Sequence, residues 1–126
     1  MTTWVIPCNI KFYDLDGAFS DLKVIDWRQS TNVCVDDTVY IYVGQSVGQI
    51  RYKCSVLKID KNTSTIDDSK YTKSLPTAKR FMELEFVKEY PLSDSLKLKS
   101  LKENGLKTPQ GPSKATDELI SYLDQF

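Results

Sequence analysis

Two runs of alternating side chains, joined by a glycine-bounded link, constrain this chain more than any other feature. In Thr38-Val39-Tyr40-Ile41-Tyr42-Val43 the aliphatic residues fall on one side and Tyr40 and Tyr42 on the other, until Gly44 ends the run. After Gly44-Gln45-Ser46-Val47-Gly48, the residues Ile50, Tyr52, Cys54 and Val56 alternate with Arg51, Lys53 and Ser55. A period of two belongs to a strand, whose successive side chains point to opposite faces, and so short a link makes the two runs an antiparallel hairpin. Asp36-Asp37, just before the first run, is turn chemistry. Residues 80–90 resume the alternation, with Met82, Leu84 and Phe86 against Glu83 and Glu85.

Helical signals flank these strands. Trp4-Val5-Ile6-Pro7 reads as a short strand ending near the proline, which fixes φ and has no N–H to donate. Asp14 is placed to cap a short helix whose Leu15, Ala18, Phe19 and Leu22 share a face, with Gly17 as its weak point. A short segment near residues 24–27 follows. Residues 60–76 are polar, without helical period, and read as a loop of the length that is usually functional. Ser93 caps a helix carrying Leu96 and Leu101 and closed by Gly105. Thr116 caps a last one, with Asp117 and Glu118 in its first turn and Leu119, Leu123 and Phe126 on one face. Hairpin strands with helices towards the ends predict an α+β fold built on a strongly curved, mostly antiparallel, barrel-like sheet, and residues 1–126 are expected to form one domain.

The residue types narrow the chemistry. The chain has no histidine, the side chain most used for proton transfer near neutral pH, which argues against an enzyme. Cys8, Cys34 and Cys54 are widely spaced with no Cys-x-x-Cys pair, so no disulfide framework, zinc site or other cofactor is expected, and the thiols are expected reduced and mostly buried. Carboxylates are available for catalysis in Asp14, Asp16, Asp26, Asp36, Asp37, Asp67 and Asp68, but acidic turns account for them. With no signal-peptide pattern and no long apolar run, a soluble, cytoplasmic protein without a membrane partner is expected.

Net charge is zero, with 17 basic and 17 acidic residues, but the two signs are unevenly spread. Residues 1–50 hold three basic residues against six acidic ones, and the remainder fourteen against eleven. Lys70, Lys73, Lys79 and Arg80 lie in a stretch free of acids, and residues 97–114 carry five lysines against Glu103 alone. Two basic segments of this kind either face one polyanionic partner or are ordinary solvated surface.

The ordered strings Trp4-Val5-Ile6-Pro7-Cys8-Asn9, Ile25-Asp26-Trp27-Arg28-Gln29-Ser30, Asp37-Thr38-Val39-Tyr40-Ile41-Tyr42-Val43-Gly44 and Ile50-Arg51-Tyr52 resemble the EVE domain, a member of the PUA-like folds. The resemblance is nearest to the EVE domains at the front of modification-dependent restriction endonucleases, where an HNH nuclease domain often follows. Phe81-Met82-Glu83-Leu84 and Gln110-Gly111-Pro112-Ser113 also have matching segments there. Where that family often has Gly-Asp before its central strand, this chain has Asp36-Asp37, and Asp tolerates left-handed backbone better than most residues.

The resemblance implies a non-catalytic, PUA-like module that flips a base of DNA into an aromatic pocket and tests it for 5-methyl- or 5-hydroxymethylcytosine or a methylated adenine. It would serve a restriction or defence system, with any cleavage supplied by a nuclease domain or protein in cis or in trans. Trp27 is the expected stacking wall, since it sits among polar neighbours. Asn9, Gln29 and Ser30 are candidates for reading the base edge. Tyr40 and Tyr42 share a strand face and either line the pocket or pack under a helix. Lys70, Lys73, Lys79, Arg80, Lys107, Ser113 and Lys114 are candidates for backbone contacts bordering the pocket, while Trp4 looks like core. An RNA-binding module of the same fold and a protein-interaction or inhibitor module without base binding are the alternative readings.

Overall fold

The chain runs through β1 (Thr3–Cys8), α1 (Leu15–Asp21), β2 (Val24–Arg28), β3 (Thr38–Val43), β4 (Gln49–Lys61), β5 (Phe81–Glu89), a 3₁₀ turn (Asp94–Leu96), α2 (Leu98–Glu103), β6 (Ser113–Lys114) and α3 (Asp117–Leu123). These come from a computed structural model that describes residues 1–44, 47–63, 65–66, 70–71, 80–108 and 110–126. The strands form one sheet in the order β2-β5-β4-β3-β1-β6, with every neighbouring pair antiparallel except β1 with β3. The register of β4 shifts once against β3 and three times against β5. Each such irregularity bends and twists the strand that carries it, so the long β4 curls the sheet.

Period-two alternation then builds two cores, one on each side of β3. Val39, Ile41 and Val43 join Trp4, Ile6, Tyr52, Cys54, Val56, Ile25, Met82 and Leu84 in a first core, which Leu15 and Ala18 of α1 cover. Tyr40 and Tyr42 point the other way, into a second core with Ile50, Tyr90, Leu96, Leu101, Leu119 and Leu123 under the C-terminal helices. Burying each aliphatic side chain of this kind stabilises the fold by about 1.5–3 kcal/mol.

Asp14 and Thr116 cap the helices expected of them, whereas Ser93 caps only the 3₁₀ turn, and Leu101 lies on the separate α2, which starts after Lys97 without a side-chain cap. Asp14 Oδ1 accepts from Gly17 N–H (3.1 Å), Ser93 Oγ from Ser95 N–H (3.2 Å) and Thr116 Oγ1 from Leu119 N–H (3.1 Å). Gly17 is needed for space: a Cβ there would meet Asp14 Oδ2 at 2.3 Å. Asp36 takes φ +74°, the left-handed turn its side chain tolerates. Asp37 beside it is buried and accepts from Thr2 N–H (2.9 Å), Cys34 N–H (2.9 Å) and the Trp4 indole N–H (3.0 Å), fastening β1 to the start of β3.

β1 ends one residue after Pro7, at Cys8; β6 pairs only with Trp4 and Val5, so Pro7 lies beyond that ladder. One boundary differs from expectation. The polar stretch after residue 60 begins inside β4, which reaches Lys61, because that side chain is tied to the neighbouring strands. Lys61 Nζ donates to Asp26 Oδ1 (2.6 Å), Glu83 Oε2 (2.8 Å) and Thr65 Oγ1 (2.7 Å).

Candidate nucleic-acid interface

β2 is the edge strand that carries Trp27. Ile25 is fully buried in the first core, and Trp27, two residues on and so on the same face, packs at the margin of that core while remaining half-buried. Its ring meets Tyr13 edge to face, with centroids 5.2 Å apart and planes at 80°. Such a contact suits the negative face and positive edge of the two rings. Tyr13 is held by the turn between β1 and α1. The Asn9 carbonyl accepts from Phe12 N–H (3.0 Å) and Tyr13 N–H (3.3 Å), Asn9 Oδ1 accepts from Lys11 N–H (2.9 Å), and Asp14 N–H donates to the Tyr71 carbonyl (2.8 Å).

A polar group completes this corner. Gln29 N–H donates to the Arg80 carbonyl (3.0 Å), extending the β2–β5 ladder past Arg28. The Gln29 amide then closes a reciprocal pair with Asp60: Nε2 donates to Asp60 Oδ1 (3.1 Å), while Oε1 accepts from Asp60 N–H (2.7 Å). Nε2 also donates to the Thr31 carbonyl (3.3 Å). Asp60 has φ +54°, a strained conformation for a residue with a Cβ, and the amide pair holds it there. Arg80 donates to Asp60 Oδ1 at 3.0 Å, and both side chains keep about half their surface in water, at 43% and 56%. A carboxylate, an amide and a guanidinium thus meet where β2, β4 and β5 come together, two residues along β2 from Trp27.

On the opposite face of β2 and β5, Asp26, Lys61 and Glu83 form a buried ionic cluster whose side chains are 1%, 13% and 10% exposed. Burial alone would lower the Lys61 pKa, but hydrogen bonds and charge from Asp26 and Glu83 outweigh it and raise it, so the ammonium stays charged. Asp26 Oδ2 accepts from Thr65 N–H (2.7 Å) and Ile66 N–H (2.8 Å). With its three donors committed, Lys61 works as a pin between strands. No buried side-chain nitrogen or oxygen among the described residues lacks a partner, and no His, Cys, Asp or Glu side chains among them group as a metal site would require. Cys8 and Cys54 are buried, and burial together with Asp16 pushes the Cys8 thiol up to about 12, whereas Cys34 is exposed.

The structure brings together some of the residues expected at the site and separates others. Gln29 and Arg80 meet, joined by the backbone and by Asp60, with Trp27 two residues before Gln29 on β2. Ser30 and Asn9 are exposed, the latter as the residue that closes the Tyr13 turn. Of the two readings of Tyr40 and Tyr42 the packed one holds, and two further expectations are corrected. Tyr40 and Tyr42 do not line a pocket with Trp27: they are 1% and 7% exposed in the second core, and burial raises both hydroxyl pKa values. Gln29 is 5% exposed and its amide is already paired, so it supports Asp60 and has no free edge to offer a base. Nor do both basic segments border Trp27. Residues 97–114 run through α2, against the second core, to β6 at the far edge of the sheet, where Ser113 faces Val5 and Lys114 lies 5.8 Å above the Trp4 ring. Lys107 is exposed just beyond α2. Lys70 lies 3.7 Å from Asp21 at the end of α1. Lys73 and Lys79 lie outside the described residues. Sequence reasoning missed Tyr13 and Asp60; the polar run around Asp60 was the only signal for the second, and Tyr13 had its place directly before a helix cap.

Searches among known proteins add the fold. No protein-family model matches the sequence, and no curated protein matches it. Among solved structures, the crystal structure of ASCH from Zymomonas mobilis superposes with a TM-score of 0.64 at 16% identity, covering 99% of this chain and 95% of that one. A tyrosine-to-phenylalanine variant of the same protein gives a TM-score of 0.65, also at 16% identity, over 100% and 99% of the two chains. An NMR structure from Rhodopseudomonas palustris gives 0.64 at 11% identity, over 99% and 92%. The chain has the PUA-like fold that ASCH domains share. The six-stranded, mostly antiparallel sheet with short helices is therefore the expected α+β architecture, and the two Zymomonas structures are named ASCH, with nothing in these matches that names an EVE domain. No helix among the described residues is long and apolar enough to cross a membrane.

Proposed function

We propose that this chain is a non-catalytic nucleic-acid-binding module that takes a single flipped base of DNA against Trp27 and tests it for a modification. The observation that carries this reading is the half-buried Trp27, braced edge to face by Tyr13 on a hydrogen-bonded turn, with the Asp60–Arg80 pair held by Gln29 two residues further along the same strand. Flipping a base costs a few kcal/mol and stacking on an aromatic ring returns roughly 1–3 kcal/mol, so polar contacts must make up the difference. A carboxylate accepts from the exocyclic amino group that cytosine and adenine carry, and a guanidinium reaches a phosphate or a ring acceptor. The sequence resemblance to EVE domains supports the modified-base part of the reading: 5-methyl- or 5-hydroxymethylcytosine, or a methylated adenine. The same resemblance assigns cleavage to a nuclease domain or protein acting in cis or in trans, within a restriction or defence system.

Fluorescence anisotropy with labelled duplexes carrying one modified base, the unmodified duplex and an RNA of the same sequence tests this. Tighter binding to one modified duplex than to the other two is the expected result. Equal affinity for modified and unmodified DNA contradicts the reading, and preference for the RNA transfers it to an RNA-binding module.

A further inference from the structure

The Phe12 ring belongs to neither core. Among the described residues, which include every aromatic, it alone is exposed rather than buried or half-buried, at 55%. A freely moving loop would make this unremarkable, but Phe12 sits on a closed turn. Its own N–H and that of Tyr13 donate to the Asn9 carbonyl, Asn9 Oδ1 accepts from Lys11 N–H, and the next residue after Tyr13 is anchored to Tyr71 and caps α1. The ring therefore projects from a braced backbone, one residue from the Tyr13 side chain that contacts Trp27, and directly after the exposed Lys11.

Holding a large apolar ring in water is unfavourable unless it finds an apolar partner, and a stack of base pairs is one. A base that leaves a duplex opens a gap whose walls are the faces of its former neighbours. An apolar side chain inserted there replaces the lost stacking and blocks the base from returning. Lys11 supplies a cation next to the phosphates at the point of insertion. We propose that Phe12 is the wedge that enters duplex DNA as the flipped base moves to Trp27. This rests on the reading of Trp27 as the base wall and deepens it, for it assigns extrusion and stacking to different side chains: Phe12 acts only on a duplex, Trp27 on a base however presented.

The experiment is a titration of wild-type protein, Phe12→Ala and Phe12→Leu with a duplex carrying 2-aminopurine next to the modified base, and with the single strand of the same sequence. Wild-type protein should raise 2-aminopurine fluorescence as the stack opens. Phe12→Ala should lose most of that rise and about tenfold or more in duplex affinity while binding the single strand as wild type does, and Phe12→Leu should keep most of both because it too is an apolar wedge. Because the ring is exposed, neither variant should shift the thermal midpoint, which a melt of each checks. Full extrusion by Phe12→Ala overturns the proposal, as does an equal loss on single strand and duplex, which would make Phe12 part of the stacking wall. If wild-type protein binds neither form, the functional reading itself fails and the wedge falls with it.

Discussion

On one face of the sheet, Tyr40, Tyr42 and Tyr90 lie sealed beneath the C-terminal helices; on the other, Trp27 stands half-buried on an edge strand at the margin of the first core. Both regions look alike as sequence, with aromatics set among polar or aliphatic neighbours. They differ in what covers them. The tyrosines have α2 and α3 packed over them, with Leu96, Leu101, Leu119 and Leu123 filling the space. Trp27 is braced from one side by Tyr13, and the charged Asp60–Arg80 pair is bound to Gln29, two residues further along β2. Aromatic chemistry becomes available to a partner only where the fold leaves it uncovered.

The largest test of this contrast is Tyr40→Ala. Removing a side chain that is 1% exposed and packed against the Tyr90 ring, with centroids 6.2 Å apart and planes tilted by 52°, should cost about 3–5 kcal/mol, a large share of the stability of a domain this size. Urea denaturation of the variant measures it. A loss below about 1 kcal/mol would mean that the second face is not a sealed core.

Asp37, which ties β1 to the start of β3 outside both regions, gives the fold a pH dependence of its own. Burial would raise its pKa, but the hydrogen bonds from Thr2, Cys34 and Trp4 outweigh that and lower it beneath the ordinary value of 3.8. A carboxyl whose pKa falls on folding contributes stability above its unfolded pKa, and that contribution is lost as pH drops through the folded value. Acid unfolding below about pH 4 should therefore draw partly on Asp37. Asp37→Asn should lower stability at neutral pH by about 2 kcal/mol, since the new NH2 faces donors, and should flatten the acid limb. An unchanged acid limb in the variant would remove Asp37 from this role.

Much of this arrangement was legible in the sequence because it is local. Period-two alternation identified β3, β4 and β5, and single side chains placed the caps at Asp14, Ser93 and Thr116. The alternation also showed that Tyr40 and Tyr42 share a face, but which face the helices cover depends on packing that no short pattern encodes. The Gln29–Asp60 pair spans 31 residues and the Lys61–Asp26 pair 35, so the reason why Gln29 is occupied and why β4 extends to Lys61 lies in tertiary contacts alone. Segregation of the basic segments was invisible for the same reason: residues 97–114 follow α2 and β6 to the far edge of the sheet.

The smallest effect sharpens the comparison through charge. If a polyanion approaches the Trp27 corner, Arg80→Glu should weaken binding several-fold for all sequences alike and reduce the slope of log affinity against log salt. Lys107→Glu, beyond α2 on the other face, should change affinity by less than about twofold. Salt titrations of both variants decide it, and equal losses would show that the partner contacts both faces.

The central claim is that Trp27 touches the base, and intrinsic tryptophan fluorescence tests it most directly. The chain has two tryptophans, and Trp4 is 7% exposed with its indole N–H held by Asp37, so a change on adding DNA reports mainly on Trp27. Titration with a duplex carrying the modified base should quench the emission to saturation. In Trp27→Ala the quench should vanish and affinity should fall by roughly 5- to 150-fold, the equivalent of about 1–3 kcal/mol of stacking, while a melt shows the protein still folded. Binding by anisotropy with no change in tryptophan emission, or a folded Trp27→Ala that still prefers the modified duplex, would contradict it.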